Sequence, residues 1–258
     1  MHSTLKDSVP PYLGVDLTDR YAKSCRDIDV CGLAHGENGT LTASFWVWQW
    51  DAGPGALDVT AIANELSATR AAMLDGPQGL ATAGESLRVC ERCSAAAGKT
   101  PHRRPPPLGR PFAGFICSSL DIFAELKRAG TNISPPRFLG GVSEVYPAHI
   151  WKILAGRPLK RKSTLKGRLE RKHILEGQGV SGLPELPTHD QNDACVAALM
   201  AAASDGAVPE IGIEGIGSAL FADPDGTMRE GQMVIPARIT RVRSERSQPS
   251  GIPAALPS

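Results

Sequence analysis

The sequence predicts an α/β fold, in which a mixed five-stranded sheet carries helices on both faces and a hairpin-like appendix follows near the C-terminus. Three strand-type runs open the chain, and Asn38-Gly39 between the second and the third is a strong hairpin signal. Segments with helical spacing then alternate with two further apolar runs, which requires crossover connections. The chain has 258 residues, 41% hydrophobic and 21% charged, which is typical of one globular domain.

Local signals define the five strands in chain order. The first covers roughly residues 11–18, and the second and third flank the Asn38-Gly39 turn as an antiparallel pair. A helical segment leads to the fourth strand, which ends at Asp75 before Gly76-Pro77, and the fifth strand is broken at Pro147. Because the connection into the fourth strand is helical, we expect that strand to lie parallel to the first and beside it, with the fifth strand next in the sheet.

Helical segments fill most of the remaining chain. We expect one domain over residues 11–242, after a flexible leader at 1–10 and before a disordered tail at 243–258. The appendix is expected around Asp225-Gly226, and the five prolines of the loop at 99–111 exclude regular structure there. The helical segments are 56–70, 84–98, 112–130, 147–156, 163–179 and 188–206.

The composition excludes several classes of protein. A net charge of +1 predicts no global attraction to nucleic acid or membrane, so any basic site must be local. No apolar run approaches the roughly 18 residues that span a bilayer, and the N-terminal MHSTLKDSVPP has no apolar signal core. Six cysteines are too sparse for a disulfide scaffold in a chain of this length. We therefore expect a cytoplasmic protein without membrane contact.

Two aspartates stand at the ends of strands that should be neighbours. Asp16 interrupts an otherwise apolar strand, although a buried carboxylate is costly unless it is paired, hydrogen-bonded or bound to a metal. Asp75 ends the fourth strand, where it also suits a turn before Gly76-Pro77. Neighbouring strands lie about 4.8 Å apart, and ligands of such sheets bind beyond the carboxyl ends of the parallel strands. We therefore expect the two carboxylates to share one edge of the sheet.

The last helical segment supplies two further acids. Thr188 and Gln191 fit a capping box, so the helix should begin at about His189 and place Asp190 and Asp193 on one face. Asp190 also suits the helix dipole, whereas Asp193 lies a full turn further in, where that explanation fades. With the two strand acids they predict a Mg²⁺ or Mn²⁺ site, because these hard ions prefer carboxylate oxygens. Divalent ions in such sites clamp the oxygens of a phosphoryl displacement.

Five stretches of the chain resemble a known family when they are taken together and in order. They are YLGVDLTD, LDGPQGL, RVCER, SEVYPAHIW and HDQNDACVAAL. The set resembles the domain of unknown function 429, a family regarded as predicted nucleases of the RNase H-like fold, and the similarity covers roughly residues 11–240. The last stretch also resembles the final acidic helix of RuvC-type resolvases, in which Asp-x-x-Asp-Ala supplies metal ligands.

The resemblance implies roles for the four aspartates. Asp16, Asp75 and Asp193 take the positions of metal ligands, and Asp190 stands beside them as a further catalytic acid. RNase H-like enzymes often carry a glutamate between the first two aspartates, and this sequence departs from that pattern, because neither Glu37 nor Glu65 has the right context. The number of metal ions therefore stays open at this point.

Several other residues admit both a functional and a structural interpretation. Glu144 on the fifth strand is either a further catalytic acid or the partner of an arginine. Residues 157–173 contain eight basic residues and one acid, which suits either a nucleic-acid backbone or a solvated helix face. The candidate nucleic-acid contacts are Lys160, Arg161 and Lys162, with Arg103 and Arg104 in the proline-rich loop.

Alternating tryptophans mark the third strand. Trp46, Trp48 and Trp50 share one face of it, which indicates either core packing or a partner interface such as a homodimer. No aromatic residues interleave with the basic segment, so stacking of single-stranded bases has no support in the sequence.

A metal-dependent nuclease that hydrolyses phosphodiester bonds in DNA or RNA explains these features best. A catalytically inactive RNase H-like module that binds nucleic acid or protein is the first alternative, with the acids kept for structure. An actin-like or sugar-kinase-type ATPase also begins with a strand carrying Gly-x-Asp, but it needs a second glycine-rich phosphate loop of the Asp-x-Gly-Gly-Thr kind, and the sequence contains none.

Overall fold

The computed structural model describes residues 9–36, 39–50, 57–133 and 140–239. The predicted turn residue Asn38, most of the leader and the predicted tail lie outside the described residues. Within the described ranges, no helix combines the length and the apolar character needed to cross a membrane.

The described chain forms ten strands and six helices. The strands are β1 Tyr12–Asp16, β2 Ile28–His35, β3 Leu41–Trp48, β4 Ala71–Asp75, β5 Gly141–Val145, β6 Val180–Ser181, β7 Ile211–Ile216, β8 Phe221–Ala222, β9 Met228–Arg229 and β10 Met233–Ile239. The helices are α1 Val59–Ser67, α2 Val89–Ser94, α3 Ala113–Arg128, α4 Pro147–Ala155, α5 Leu165–Gly177 and α6 His189–Ser204.

The main sheet is mixed and contains the five predicted strands at its centre. Its order is β6-β3-β2-β1-β4-β5-β10-β7. β1, β2 and β3 are antiparallel neighbours, β4 lies parallel to β1, and β5 lies parallel to β4. The helical connection from β3 to β4 accounts for the change from antiparallel to parallel pairing, as the sequence predicted.

The prediction of five strands was wrong, because the described sheet has eight. β6 pairs with β3 through only two residues, which is too short for a periodic signal. The predicted appendix is a small β8–β9 hairpin, but the chain on either side of it joins the main sheet, with β10 parallel to β5 and β7 antiparallel to β10. A local turn signal such as Asp225-Gly226 carries no information about this distant pairing.

Helices cover both faces of the sheet, as predicted. Alternate residues of β1 and β4 pack into two separate cores, one built with α4 and α6 and the other with α1 and α3. β1 is buried along its whole length, because it is central and covered on both sides. Gly14 in β1 touches α6 directly: a methyl group there would lie 2.1 Å from Ala194 O and from Ala198 N. This contact fixes the distance between the acid-bearing ends of β1 and α6.

The alternating tryptophans pack inward. Trp48 and Trp50 are buried in the core that contains α1 and α3, and Trp46 packs against the same core. The Trp50 indole Nε1 donates a hydrogen bond to Thr18 Oγ1 at 2.8 Å. These contacts agree with the core-packing interpretation of the strand, and the homodimer remains a prediction.

One helix is shorter than its sequence pattern. The segment at 84–98 forms α2 only from Val89 to Ser94, since Ala95 adopts a left-handed conformation with φ of 54° and ends the helix. The preceding residues form an irregular connection, which leads from β4 to the buried Arg88.

Candidate functional site

The carboxyl ends of β1 and β4 bring two aspartates side by side. Val15 pairs with Leu74 in the parallel register, so Asp16 and Asp75 follow as the next residues on adjacent strands. The side chain of Asp16 is buried, with a relative exposure of 7%, and Asp75 is partly buried. The sheet therefore gathers both carboxylates at the edge where ligands of parallel strands bind.

Helix α6 brings two more aspartates to the same place. Its start is fixed by a capping box, in which Gln191 N donates to Thr188 Oγ1 and Thr188 N donates to Gln191 Oε1. Asp190 lies in the first turn, and Asp193 is buried at 3% exposure. The four residues Asp16, Asp75, Asp190 and Asp193, called the acid cluster below, line one cavity of about 560 Å³, called the acid cleft.

The acids of this cluster disfavour one another's ionisation. Burial raises the pKa of Asp16 well above its usual range, and the charges of Asp75 and Asp193 raise it further. The Asp190 carboxyl lies within hydrogen-bonding reach of Asp16 and acts in the same direction. Burial, followed by the charge of Asp193, raises the pKa of Asp75 to about 8, although Lys162 opposes this shift. The positive charge near the two strand carboxylates is thus too small to stabilise their ionised forms at neutral pH.

Asp193 differs from the strand acids because both of its oxygens have donors. The Trp151 indole Nε1 donates to Asp193 Oδ1 at 2.6 Å, and the Lys162 ammonium donates to Asp193 Oδ2 at 2.6 Å. Asp190 is flanked by the Arg26 guanidinium at 3.4 Å and by His189 Nδ1 at 2.7 Å. Sequence reasoning placed Lys162 among phosphate contacts and missed its contact with Asp193, since that contact joins a loop to a helix 31 residues away.

Glu144 lies in the wall of the acid cleft but is bonded to an arginine. Its register partner on β4 is Leu74, and its carboxylate is buried at 1% exposure. Arg88 Nη2 donates to Glu144 Oε1 at 2.6 Å and Arg88 Nη1 donates to Oε2 at 2.7 Å, while Gln78 N donates to Oε2 at 3.0 Å. Of its two sequence interpretations, the structure contains the arginine pair, which leaves this carboxylate little capacity for another ligand.

The basic segment borders the acid cleft, but its residues differ in environment. Lys160 and Arg161 are exposed on the loop before α5, next to Lys162. Arg171 is buried, donates to the carbonyls of Lys160 and Gly167, and lies 5.7 Å from the ring centre of Trp151. It therefore holds the loop in place instead of offering its charge to a ligand.

The two arginines of the proline-rich loop lie elsewhere. Arg104 pairs with Asp121 at 2.8 Å and lines a second cavity, formed in part by Leu120 and Arg128. Arg103 is exposed. Neither belongs to the lining of the acid cleft among the described residues, so the structure does not bring them together with the acid cluster.

Part of the lining of the acid cleft is apolar and was not anticipated from the sequence. Phe112, Phe115 and Tyr146 contribute to it, and the side chain of Phe112 is 51% exposed. Phe112 precedes α3 with φ of 65°, a conformation that is rare for a bulky residue. The local sequence Phe-Ala-Gly at residues 112–114 does not predict this backbone angle, so the apolar part of the cleft could not be found from the sequence.

The donor chemistry of the acid cluster fits a hard divalent cation, although its arrangement is not a finished metal site. Over the part of the chain that the structure describes, no three His, Cys, Asp or Glu side chains already surround one point as ligands. Neither Asp75 nor Asp16 has an ion pair with a basic residue among the described residues, and the acids around them raise the pKa of both. Buried carboxylates in this condition are relieved by a cation, and their oxygens suit Mg²⁺ or Mn²⁺.

Comparison with known proteins identifies a family but no relative with a known activity. The family described as "Protein of unknown function (DUF429)" matches residues 28–212, which is most of the chain. The match includes Asp75, Asp190 and Asp193, while Asp16 precedes it. No curated protein and no solved structure matches the chain.

Proposed function

This chain belongs to the DUF429 family, and we propose that it is a metal-dependent nuclease with an RNase H-like fold. The antiparallel β1–β2–β3 unit with β4 and β5 parallel beside it is the arrangement expected for that fold from the sequence. The substrate class is nucleic acid, and the bond cleaved is the phosphodiester. The resemblance of α6 to the last helix of RuvC-type resolvases supports the same assignment.

The convergence of four aspartates from three elements carries this proposal. They meet at the carboxyl edge of β1 and β4, inside a cavity of about 560 Å³, and the pKa of Asp16 and that of Asp75 are both raised. Strongly perturbed acids in a cleft are characteristic of functional sites. A divalent ion held there would neutralise developing charge on a phosphate and lower the pKa of an attacking water.

The residues of this chain divide the remaining work. Asp16 and Asp75 have no hydrogen bond or ion pair with a basic residue among the described residues, so they are the principal candidate ligands. Asp193 is oriented by Trp151, and Lys160 and Arg161 stand on the adjoining loop, where they can contact phosphates. His189 lines the acid cleft beside Asp190 and is the group best suited to give a proton to a leaving oxygen.

An inactive module of the same fold is the second candidate, and one observation favours it. Asp193 and Asp190 already have basic partners in Lys162 and Arg26, so half of the acid cluster is compensated without any metal. Asp16 and Asp75 form no ion pair among the described residues, although Lys162 lowers the pKa of Asp75. The two candidates therefore differ in what they predict for these two residues.

Substitution of Asp16 tests the proposal. We expect the parent protein to cleave at least one member of a panel of labelled DNA and RNA duplexes, single strands and junctions with Mg²⁺ or Mn²⁺, and not with EDTA. Asp16→Asn should abolish this cleavage and leave the metal-free melting temperature equal or higher, because it removes one charge from a crowded cluster. Asp58→Asn is a matched control, since Asp58 caps α1 and does not belong to the lining of the acid cleft among the described residues.

The opposite pattern supports the inactive module. If the parent cleaves nothing in the panel with either ion, and Asp16→Asn melts several degrees lower without metal, Asp16 has a structural role and the nuclease assignment fails. A structural acid behaves in this way because its loss leaves a partner uncompensated.

A further inference from the structure

We propose that the Lys162 ammonium occupies one of two cation positions in the acid cluster, so that the cluster takes a single divalent ion. This inference rests on the proposed function, because it assumes that the acid cluster binds metal. It assigns Lys162 to the acid cleft, and it assigns the nucleic-acid contact to the neighbouring Lys160 and Arg161.

The contact of Lys162 with Asp193 is close and complete. The Nζ–Oδ2 distance is 2.6 Å, and the other oxygen of Asp193 accepts the indole N–H of Trp151 at 2.6 Å. Asp193 is buried at 3% exposure, so its donors come from the protein. A carboxylate with both oxygens engaged in charge-assisted or short hydrogen bonds has little capacity left to bridge two metal ions.

The ammonium also acts on the other three acids. It lowers the pKa of Asp75, and the charges of Asp193, Asp16 and Asp190 in turn raise the pKa of Lys162. Lys162 lines the acid cleft, and Lys160 does not belong to that lining. Lys162 thus stands where a cation would be shared by the whole cluster, although its stem remains half-exposed at 50%.

The charges of the acid cluster support one ion. When all four carboxylates are ionised they carry four negative charges, and Lys162 and the more peripheral Arg26 offset two of them. One divalent ion offsets the other two. A second ion would add positive charge within a few ångströms of the ammonium, where like charges repel.

Two glutamates in the wall of the acid cleft are already engaged by other donors. Glu144 is one of them, and both of its oxygens accept hydrogen bonds from Arg88. Glu91 in the same wall also accepts from Arg88 and from backbone N–H groups. Neither glutamate therefore adds a free donor to those of Asp16, Asp75 and Asp190.

A titration with Mn²⁺ followed by electron paramagnetic resonance tests this inference without any activity measurement. We expect one Mn²⁺ per chain for the parent and two for Lys162→Met, because loss of the ammonium opens the second position and doubles the number of bound ions. Lys160→Met is the matched control, since it removes the same charge two residues away, and it should still bind one ion.

Several outcomes contradict the inference. Two Mn²⁺ ions in the parent would overturn it regardless of how the variants fold. Equal stoichiometry and affinity in the parent and in Lys162→Met would also overturn it. If the parent binds no Mn²⁺ and Lys162→Met binds one, the nuclease assignment fails but Lys162 still holds a cation position. If neither binds Mn²⁺, both proposals fail.

Discussion

At the scale of single residues, the acid cluster lowers the stability of the metal-free protein but favours the binding of a cation. Asp16 and Asp75 are held at the ends of buried strands, where burial and neighbouring charges raise the pKa of each. A charged form that is disfavoured in the folded state lowers the free energy of unfolding at neutral pH. Such strain is typical of functional sites, because it is relieved when the intended ligand binds.

The metal-free protein should therefore lose stability as the pH rises. Asp75 has a pKa of about 8 in the folded state and about 4 in an unfolded chain. Its contribution to the free energy of unfolding is therefore complete below about pH 4 and is lost as the pH rises through 8. Asp75→Asn should flatten this decline. At pH 8 the free energy of unfolding of the variant should be higher than that of the parent by about 1.4 kcal/mol or more, which is the equivalent of one pKa unit.

Urea denaturation in EDTA at several pH values between 4.5 and 8 measures this difference. Asp223→Asn serves as the control, because Asp223 lies on the β8–β9 hairpin, away from the acid cleft. If parent and Asp75→Asn lose stability in parallel over this range, Asp75 is already ionised in the folded state and the crowding argument is wrong.

The residue scale also shows what the sequence could reveal. Asp16 was conspicuous because an acid interrupts an apolar strand, and Asp193 because it stands a turn beyond the capping position. The partners of Asp190 and Asp193 were not visible, since Lys162, Trp151 and Arg26 reach the acid cluster through long-range packing. A charge pattern reveals that a basic segment exists but does not distinguish the lysine that turns inward.

At the scale of elements, the close contact of β1 with α6 holds the acid cluster together. The backbone of Gly14 lies against Ala194 and Ala198, and this contact sets how near Asp16 comes to the start of α6. Small residues line the contact on the helix side, so the two elements approach more closely than larger side chains permit.

Gly14→Ala should separate these elements. The added methyl group would lie 2.1 Å from two backbone atoms of α6, which cannot move independently of the helix, so we expect a loss of about 3 kcal/mol or more. Mn²⁺ affinity should fall as well, because Asp16 moves away from Asp190. Chemical denaturation and metal titration measure the two effects.

Gly177→Ala is the matched control for this substitution. A methyl group at Gly177 meets nothing within 4 Å, and the residue ends α5, so this variant should be as stable as the parent or more stable by up to about 1 kcal/mol. Equal losses of stability in both variants would mean that Gly14 does not set the distance between β1 and α6.

Elements were predictable where their signals are local. The capping box fixed the start of α6 at His189, and the Gly76-Pro77 step fixed the end of β4 at Asp75. The chain around β7 and β10 was misjudged, because its pairing with β5 depends on residues that are about 90 positions apart, such as Met233 and Glu144. β6 was missed because two residues carry no periodicity.

At the scale of the whole molecule, charge is distributed unevenly around a nearly neutral average. The formal net charge is +1, yet a basic loop with Lys160 and Arg161 adjoins the cleft that contains the acid cluster. A polyanionic substrate needs such a division: exposed cations hold its backbone, and the acid cluster repels it until a metal ion is present. The placement of the basic loop beside the acid cleft therefore matters more for substrate binding than the net charge of the chain.

The salt dependence of nucleic-acid binding tests this distribution. In an Asp16→Asn background, which prevents cleavage, we expect Lys160→Met with Arg161→Met to weaken duplex binding and to reduce the slope of log K against log salt by about 0.9 for each lost phosphate contact. Arg70→Met is the control, because Arg70 precedes β4 at the opposite edge of the sheet and pairs with Asp205. It should leave the slope unchanged.

A slope that is the same in the double variant and in the parent would assign this loop to the solvated surface. The substrate would then have to approach the acid cleft past its apolar wall at Phe112, where contacts depend little on salt.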